Sequence, residues 1–173
     1  LNRLITTVDR ENYTTGTKYN PADQLVEYTD PRTIETDFTY NGFGEVVTEV
    51  SADRGTTAYT YDRRGLVTSR TDARGITVTY AYDNGGRLTL IDYPAATIPD
   101  IAFTHDTAFL GVPANSNKGH VGRISDGLIS TEFGHEVTAT GPRITATATY
   151  PAGRSYTVTA VPYLDAAAFI ARA

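Results

Sequence analysis

The chain has 173 residues, 40% of them hydrophobic, a net charge of -5 and a pI near 5.1. Its 15 Lys and Arg are scattered singly, so no basic stripe exists to draw nucleic acid or an anionic membrane surface, and no apolar run approaches the roughly 18 residues of a membrane span. Cysteine is absent, which excludes disulfides, thiolate zinc sites and cysteine nucleophiles; methionine is absent too, which raises the expectation of a piece of a longer protein.

Along the chain, Tyr19, Tyr40, Tyr61 and Tyr82 recur every 21 residues, each followed by Asn or Asp in "YNPAD", "YNGFG", "YDRRG" and "YDNGG". The fifth residue of each segment keeps the period as Asp23, Gly44, Gly65 and Gly86, with Asn2 one period earlier. Asn, Asp and Gly enter the left-handed region most cheaply, so this position is expected to need φ > 0. Asn20, Asn41, Asp62 and Asp83 are read as turn residues whose side chains accept bonds from the backbone two residues on. An apolar residue follows each turn, at Leu4, Leu25, Val46, Val67 and Leu88, and opens the next strand.

A second turn signal comes about seven residues later, in "VDREN", "TDPRT", "SADRG" and "TDARG". Asp30 to Tyr40 and Asp72 to Tyr82 match in spacing, whereas Gly55 sits one place late, which reads as a turn variant or a bulge. Between turns the pattern alternates: Ile34, Thr36, Phe38 and Tyr40 oppose Glu35, Asp37 and Thr39, and Ile76, Val78, Tyr80 and Tyr82 oppose Thr77, Thr79 and Ala81. Half-buried antiparallel strands follow, two per repeat. A hairpin of this length cannot bury its own apolar face, so stability must come from neighbouring repeats, and the end repeats are expected to pair with further chain or another copy.

The period loosens after Leu88. In "LIDYPAATIPDIAFTHD" the pair Phe103 and His105 takes the place of the paired aromatics, and Asp106 that of the turn aspartate. The expected organisation is regular repeats over 1–106, a Gly/Asn/Pro-rich loop over 107–121, and degenerate repeats or a meander over 122–173, all one architectural unit. The tail "LDAAAFIARA" alone has helix propensity and is short for a stable helix.

The tandem run "YTYDRRGLVTSRTDARGITVTYAYDNGGRL" resembles the YD-repeat, or Rhs-repeat, family, and the resemblance covers roughly residues 1 to 106, returning in "NSNKGHVGRISD" and "TYPAGRSYTVTA". It implies an all-β fold of antiparallel hairpin repeats forming a curved, spiralling sheet, part of a hollow shell like those of bacterial polymorphic toxins, insecticidal toxin complexes and teneurins. Such shells are many times longer than this chain. Toxin-releasing members carry a self-cleaving Asp-Pro-x-Gly-Leu-like motif; Asp30-Pro31 is followed by "RTIE", so autoproteolysis is not carried over.

Chemistry-bearing readings fare poorly beside structural ones. A catalytic carboxylate pair needs one constellation, whereas the Asx after tyrosine recurs in four units and is Asn in two. His105, His120 and His135 lie 15 residues apart with no His-x-His or His-x3-His pair, so they are taken as solvated loop histidines, with His105 a tyrosine replacement. Arg87 and Arg123, after glycine, are expected to lie along the outer face or pair with a neighbouring carboxylate. Tyr40, Tyr61 and Tyr82 are the candidate ligand contacts, a stacking platform for sugars; against that stands a ladder of rings packed across strands.

The expected function is a non-enzymatic, encapsulating shell fragment that encloses or presents a polypeptide such as a toxin. Its partners would be the remainder of a larger shell or another copy of the chain, secreted or at a bacterial cell surface, with no cofactor and no metal. The alternative is an extracellular carbohydrate-binding or adhesion module using the repeated tyrosines and binding glycans.

Overall fold

The structure is a computed structural model that describes residues 3–95, 97–106, 118–138 and 141–160. The expectations for Asn2, for the loop at 107–117 and for the tail from Leu164 lie outside these residues. The described residues contain fourteen β-strands, a single 3-10 turn at Pro151–Gly153 and no α-helix, an all-β fold of antiparallel hairpins. The chain divides into two compact units, Leu1–Thr79 and Tyr80–Ala173.

In the first unit each strand pairs antiparallel with its successor: β1 (Thr6–Val8), β2 (Thr14–Tyr19), β3 (Leu25–Thr29), β4 (Glu35–Tyr40), β5 (Val46–Ser51), β6 (Gly55–Tyr61), β7 (Val67–Thr71) and the first part of β8 (Thr77–Tyr82). Thr, Val, Tyr and Ile fill these segments because branched and aromatic side chains suit a pleated, half-buried surface. The apolar residues Leu25, Val46 and Val67 open β3, β5 and β7, as their place after the turns predicts; Leu4 lies ahead of β1.

The one-residue displacement of Gly55 is a shorter turn. Ser51 pairs with Gly55 across a three-residue connection, whereas Thr29 and Glu35, or Thr71 and Thr77, close over five. Bulges sit elsewhere: the register slips at Lys18/Tyr19, Thr39/Tyr40 and Thr60/Tyr61, once per repeat and always at the tyrosine. A bulge leaves one residue unpaired and increases local twist, so the repeat writes a bend into the sheet at a fixed period.

The second unit runs β9 (Leu88–Asp92), β10 (Ile101–His105), β11 (Val121–Ser125), β12 (Ser130–Thr138), β13 (Gly141–Thr149) and β14 (Ser155–Ala160), again pairing in succession. The β12–β13 hairpin is the longest, in register from Ser130↔Thr149 to Thr138↔Gly141.

No hydrophobic side chain among the described residues is buried; the buried polar ones are Thr36 and Ser51. A domain of ordinary architecture buries one face of its sheet under a second layer. These hairpins instead hold together through the backbone ladder, the turns and half-buried rings.

Candidate functional site: the tyrosine and turn column

Each repeat turn is built by one Asx side chain. Asn20 Oδ1 accepts from the amides of Ala22 (2.9 Å) and Gln24 (3.0 Å), Asn41 Oδ1 from Phe43 (2.9 Å) and Glu45 (3.1 Å), and Asp62 Oδ1 from Arg64 (2.8 Å) and Leu66 (3.1 Å). Asp83 Oδ1 accepts from the Arg87 amide at 2.9 Å. Because a carboxylate and an amide oxygen accept equally well here, Asn and Asp interchange along the column. The fifth position is left-handed in every unit, with φ of 63° at Asp23, 86° at Gly44, 79° at Gly65 and 79° at Gly86.

Successive turns of the first unit also touch. A Cβ placed on Gly44 would lie 3.2 Å from Gln24 Nε2, and one on Gly65 would lie 2.8 Å from Glu45 Oε1. Glycine therefore answers two demands at Gly65, a positive φ and the side chain of the preceding turn.

The tyrosines bind the repeats to one another. Tyr40 donates its hydroxyl to the Leu25 carbonyl and Tyr61 to the Val46 carbonyl, both at 2.6 Å and both 15 residues back. Their rings are half-buried, and burial raises the pKa of the Tyr61 phenol, with Glu45 adding to the shift. Tyr40 and Tyr61 do not stack on each other: equivalent strands lie two places apart, about 9.5 Å, beyond ring contact. At Tyr40 and Tyr61 a hydroxyl-to-carbonyl bond takes the place of the expected stacking between their rings. Tyr82 is half-buried at the end of β8.

His105 occupies the tyrosine's place in the second unit. It ends β10 at a bulge between Thr104 and His105, and its Nε2 donates to the Leu88 carbonyl at 2.8 Å. That bond fixes the hydrogen on Nε2 and leaves Nδ1, which is buried without a hydrogen-bond partner. Asp106 then takes the Asx position with φ 58°, accepting from the Gly119 amide at 2.6 Å.

Arg87 bridges two turns, with Nη2 at 2.7 Å from Asp83 Oδ2 and 2.7 Å from Asp106 Oδ2. The Arg87 hydrogen bond, with the Gly119 amide, draws the Asp106 pKa down to about 2. Arg123 lies half-buried on β11 opposite Thr104 and Glu132, its Nε buried without a partner.

His135 corrects the picture of solvated loop histidines, whereas His120 does lie in an exposed bend before β11. His135 lies within β12, and its ring stacks on that of His120 with centroids 4.2 Å apart and planes 14° from parallel. Burial, then the neighbouring His120, depresses the His135 pKa. The regular 15-residue spacing gave no hint of this, because the stack depends on how β12 folds back beside β11.

A groove on the tyrosine face in the first unit, about 390 Å³, is lined by Val47, Tyr59 and Tyr61 with Phe43 at its rim. Phe43 is 92% exposed at the tip of its turn. Among the described residues no group of three or more His, Cys, Asp or Glu side chains is arranged to hold a metal ion, and no helix is long and apolar enough to cross a membrane.

The sequence matches the RHS Repeat family three times in succession, over residues 19–57, 40–77 and 61–98. No curated protein matches it in sequence. Among solved structures, the Photorhabdus luminescens Tc holotoxin pore, in a mutant form, is 17% identical over 92% of this chain with a TM-score of 0.57. The crystal structure of TcdB2-TccC3 is 19% identical over 80% with a TM-score of 0.58, and that of TcdB2-TccC3-Cdc42 is 18% identical over 90% with a TM-score of 0.57. This chain spans 8% of the length of those chains. The overlapping matches start at Tyr19, Tyr40 and Tyr61, the residues whose bulges and turns set the period, and residues 19–98 of this chain are a tandem array of the RHS repeat family.

Proposed function

We propose that the chain is a segment of a shell wall that encloses or presents a polypeptide such as a toxin, and that it contributes geometry rather than chemistry. The observation that carries this reading is the absence of a buried hydrophobic side chain among the described residues of a sheet built from tandem hairpins. Such a sheet keeps both faces available and gains its order from repetition, as a wall does. The likeness in fold to chains of Tc toxin structures, of which this chain matches 8% in length, supports the same assignment.

The carboxylates support a structural role. Asp30 and Asp83 each spend Oδ1 on turn amides, and those amide bonds, from Ile34 and Arg87 respectively, lead the causes that hold their pKa values below the usual carboxylate range. A general acid needs the opposite shift. The partners of this wall are further repeats of a larger shell, or a second copy, and an enclosed polypeptide; the assembly is secreted or displayed at the cell surface.

The test is protection. The protein is purified with its natural flanking sequence and treated with a broad-specificity protease under native conditions, then denatured. Recovery of an intact second polypeptide that is cleaved only after denaturation supports enclosure. Purified assemblies with no protected polypeptide overturn it.

A further inference from the structure

The second unit brings two histidines together where neither the Asx turns nor the tyrosine bonds require them. Continuing the β11–β12 register of Arg123↔Glu132, Ile124↔Thr131 and Ser125↔Ser130 places His120 opposite His135, and the two rings lie face to face with centroids 4.2 Å apart. His120 ends an exposed turn at residues 118–120, whereas His135 is half-buried within β12. Imidazole ligates a metal through a lone pair in the ring plane, and planes 14° from parallel at this separation do not direct two lone pairs to one ion.

The same turn is tied on its other side to the end of β10. The Asp106 amide donates to the His120 carbonyl at 3.3 Å, and the Gly119 amide donates to Asp106 Oδ1 at 2.6 Å. Residues 118–120 are therefore held between Asp106 and β12, and the ring stack joins them to β12.

The charged groups around the stack leave a charge on it unbalanced. Strand alternation assigns position 135 to one face of the sheet, with Phe133 and, across β13, Ile144; it assigns Glu132 and Glu136 of β12, Arg123 of β11 and Arg143 of β13 to the other face. Asp106 is engaged by Arg87 and the Gly119 amide, and His105 on β10 bonds the Leu88 carbonyl. Lys118, in the turn itself, adds a positive charge.

We propose that the His120–His135 stack is an acid-sensitive latch: with neutral rings it holds residues 118–120 against β12, and with both rings protonated it releases them. Neutral rings stack, whereas two imidazolium ions face to face repel. Opening returns both rings to water, so proton uptake and release of the turn are linked. The sign at His135 agrees: burial, then His120, depress its pKa against the opposing bond to the Val121 backbone, so the open form binds the proton more readily and closure weakens as pH falls. The latch lies wholly in the second unit and does not rest on the enclosure reading, so either can fail alone.

NMR of the full 173-residue chain between pH 8 and pH 5 tests it. A ring-to-ring NOE between His120 and His135 is expected at pH 8 and is lost by pH 5. Over that range the protection factor of the Asp106 amide should fall at least tenfold more than those of the β13–β14 ladder. Asp106 itself, with a pKa of about 2, keeps its charge throughout. His120→Phe retains a ring without a titrating nitrogen and should stay closed at pH 5; the exposed position spares the fold. His120→Gln should lose the Asp106 protection already at pH 8 and show no further fall. No NOE at pH 8, an NOE that survives at pH 5, the same fall in His120→Phe as in the unaltered chain, or equal loss of protection throughout the second unit would overturn the proposal.

Discussion

Replacing Gly65 by alanine should cost more than the same change at Gly75, and the difference measures the contact between successive turns. Both glycines have positive φ, 79° and 76°, so both replacements pay the left-handed penalty of about 1–2 kcal/mol for an L-residue. At Gly75 the new Cβ meets nothing within 4 Å, whereas at Gly65 it falls 2.8 Å from Glu45 Oε1. Glu45 must move, and its other oxygen then loses the 2.6 Å bond donated by Asn41 Nδ2, worth about 0.5–1.5 kcal/mol. Gly65→Ala should therefore cost about 1.5–3.5 kcal/mol in all. Urea unfolding followed by tyrosine fluorescence reads the values, the chain having 12 Tyr and no Trp. Adding Glu45→Ala should erase the excess, as a double-mutant cycle shows. Asp62→Asn should change stability by under about 1 kcal/mol, because Asn20 and Asn41 make the same amide bonds and only an exposed ion pair is lost. Equal costs at Gly65 and Gly75, or a Gly65→Val variant as stable as Asp62→Asn, would refute the reasoning.

Other outcomes follow from the same geometry. Tyr61→Phe and Tyr40→Phe should each lower stability by about 1 kcal/mol through loss of one hydroxyl-to-carbonyl bond between repeats, seen as a shifted urea midpoint; no shift would remove the tyrosines' structural role. Asp106 should titrate near 2 by NMR, and Arg87→Gln should raise that midpoint towards the ordinary carboxylate value. Because its folded pKa is depressed, the stability it contributes is present above about 3.8, its unfolded value, and is lost as pH falls towards 2. His135 has the reverse charge: its folded pKa lies below the ordinary value near 6.5, so the unfolded chain binds the proton more readily and stability falls as pH drops below about 6.5. His135→Gln should flatten that pH dependence in hydrogen exchange of β12.

The 21-residue period was legible because three local demands coincide in it: an Asx that satisfies two amides, a left-handed residue, and an alternating strand. Each is set by side chains a few residues apart, and each leaves a residue-type signature. The partners of the tyrosine hydroxyls were not legible, since a backbone carbonyl has no residue identity and Leu25 and Val46 lie one strand pairing away from any local signal. The bulges at Tyr19, Tyr40 and Tyr61 were missed for a like reason, register being a property of two strands together. At Gly55 the spacing showed that something changed; pairing of Ser51 with Gly55 shows a shortened turn and not a bulge. Nor does any spacing in the sequence distinguish the buried Thr36 and Ser51 from the many other threonines and serines.

We propose that these repeats form a wall around a polypeptide. Electron cryomicroscopy of the protein with its natural flanking sequence tests it directly, with residues 19–98 located in the map by their hairpin period. The account predicts a hollow enclosure lined by the repeat sheet with separate polypeptide density inside. A repeat sheet packed against a second layer of its own protein, leaving no interior space, would contradict it.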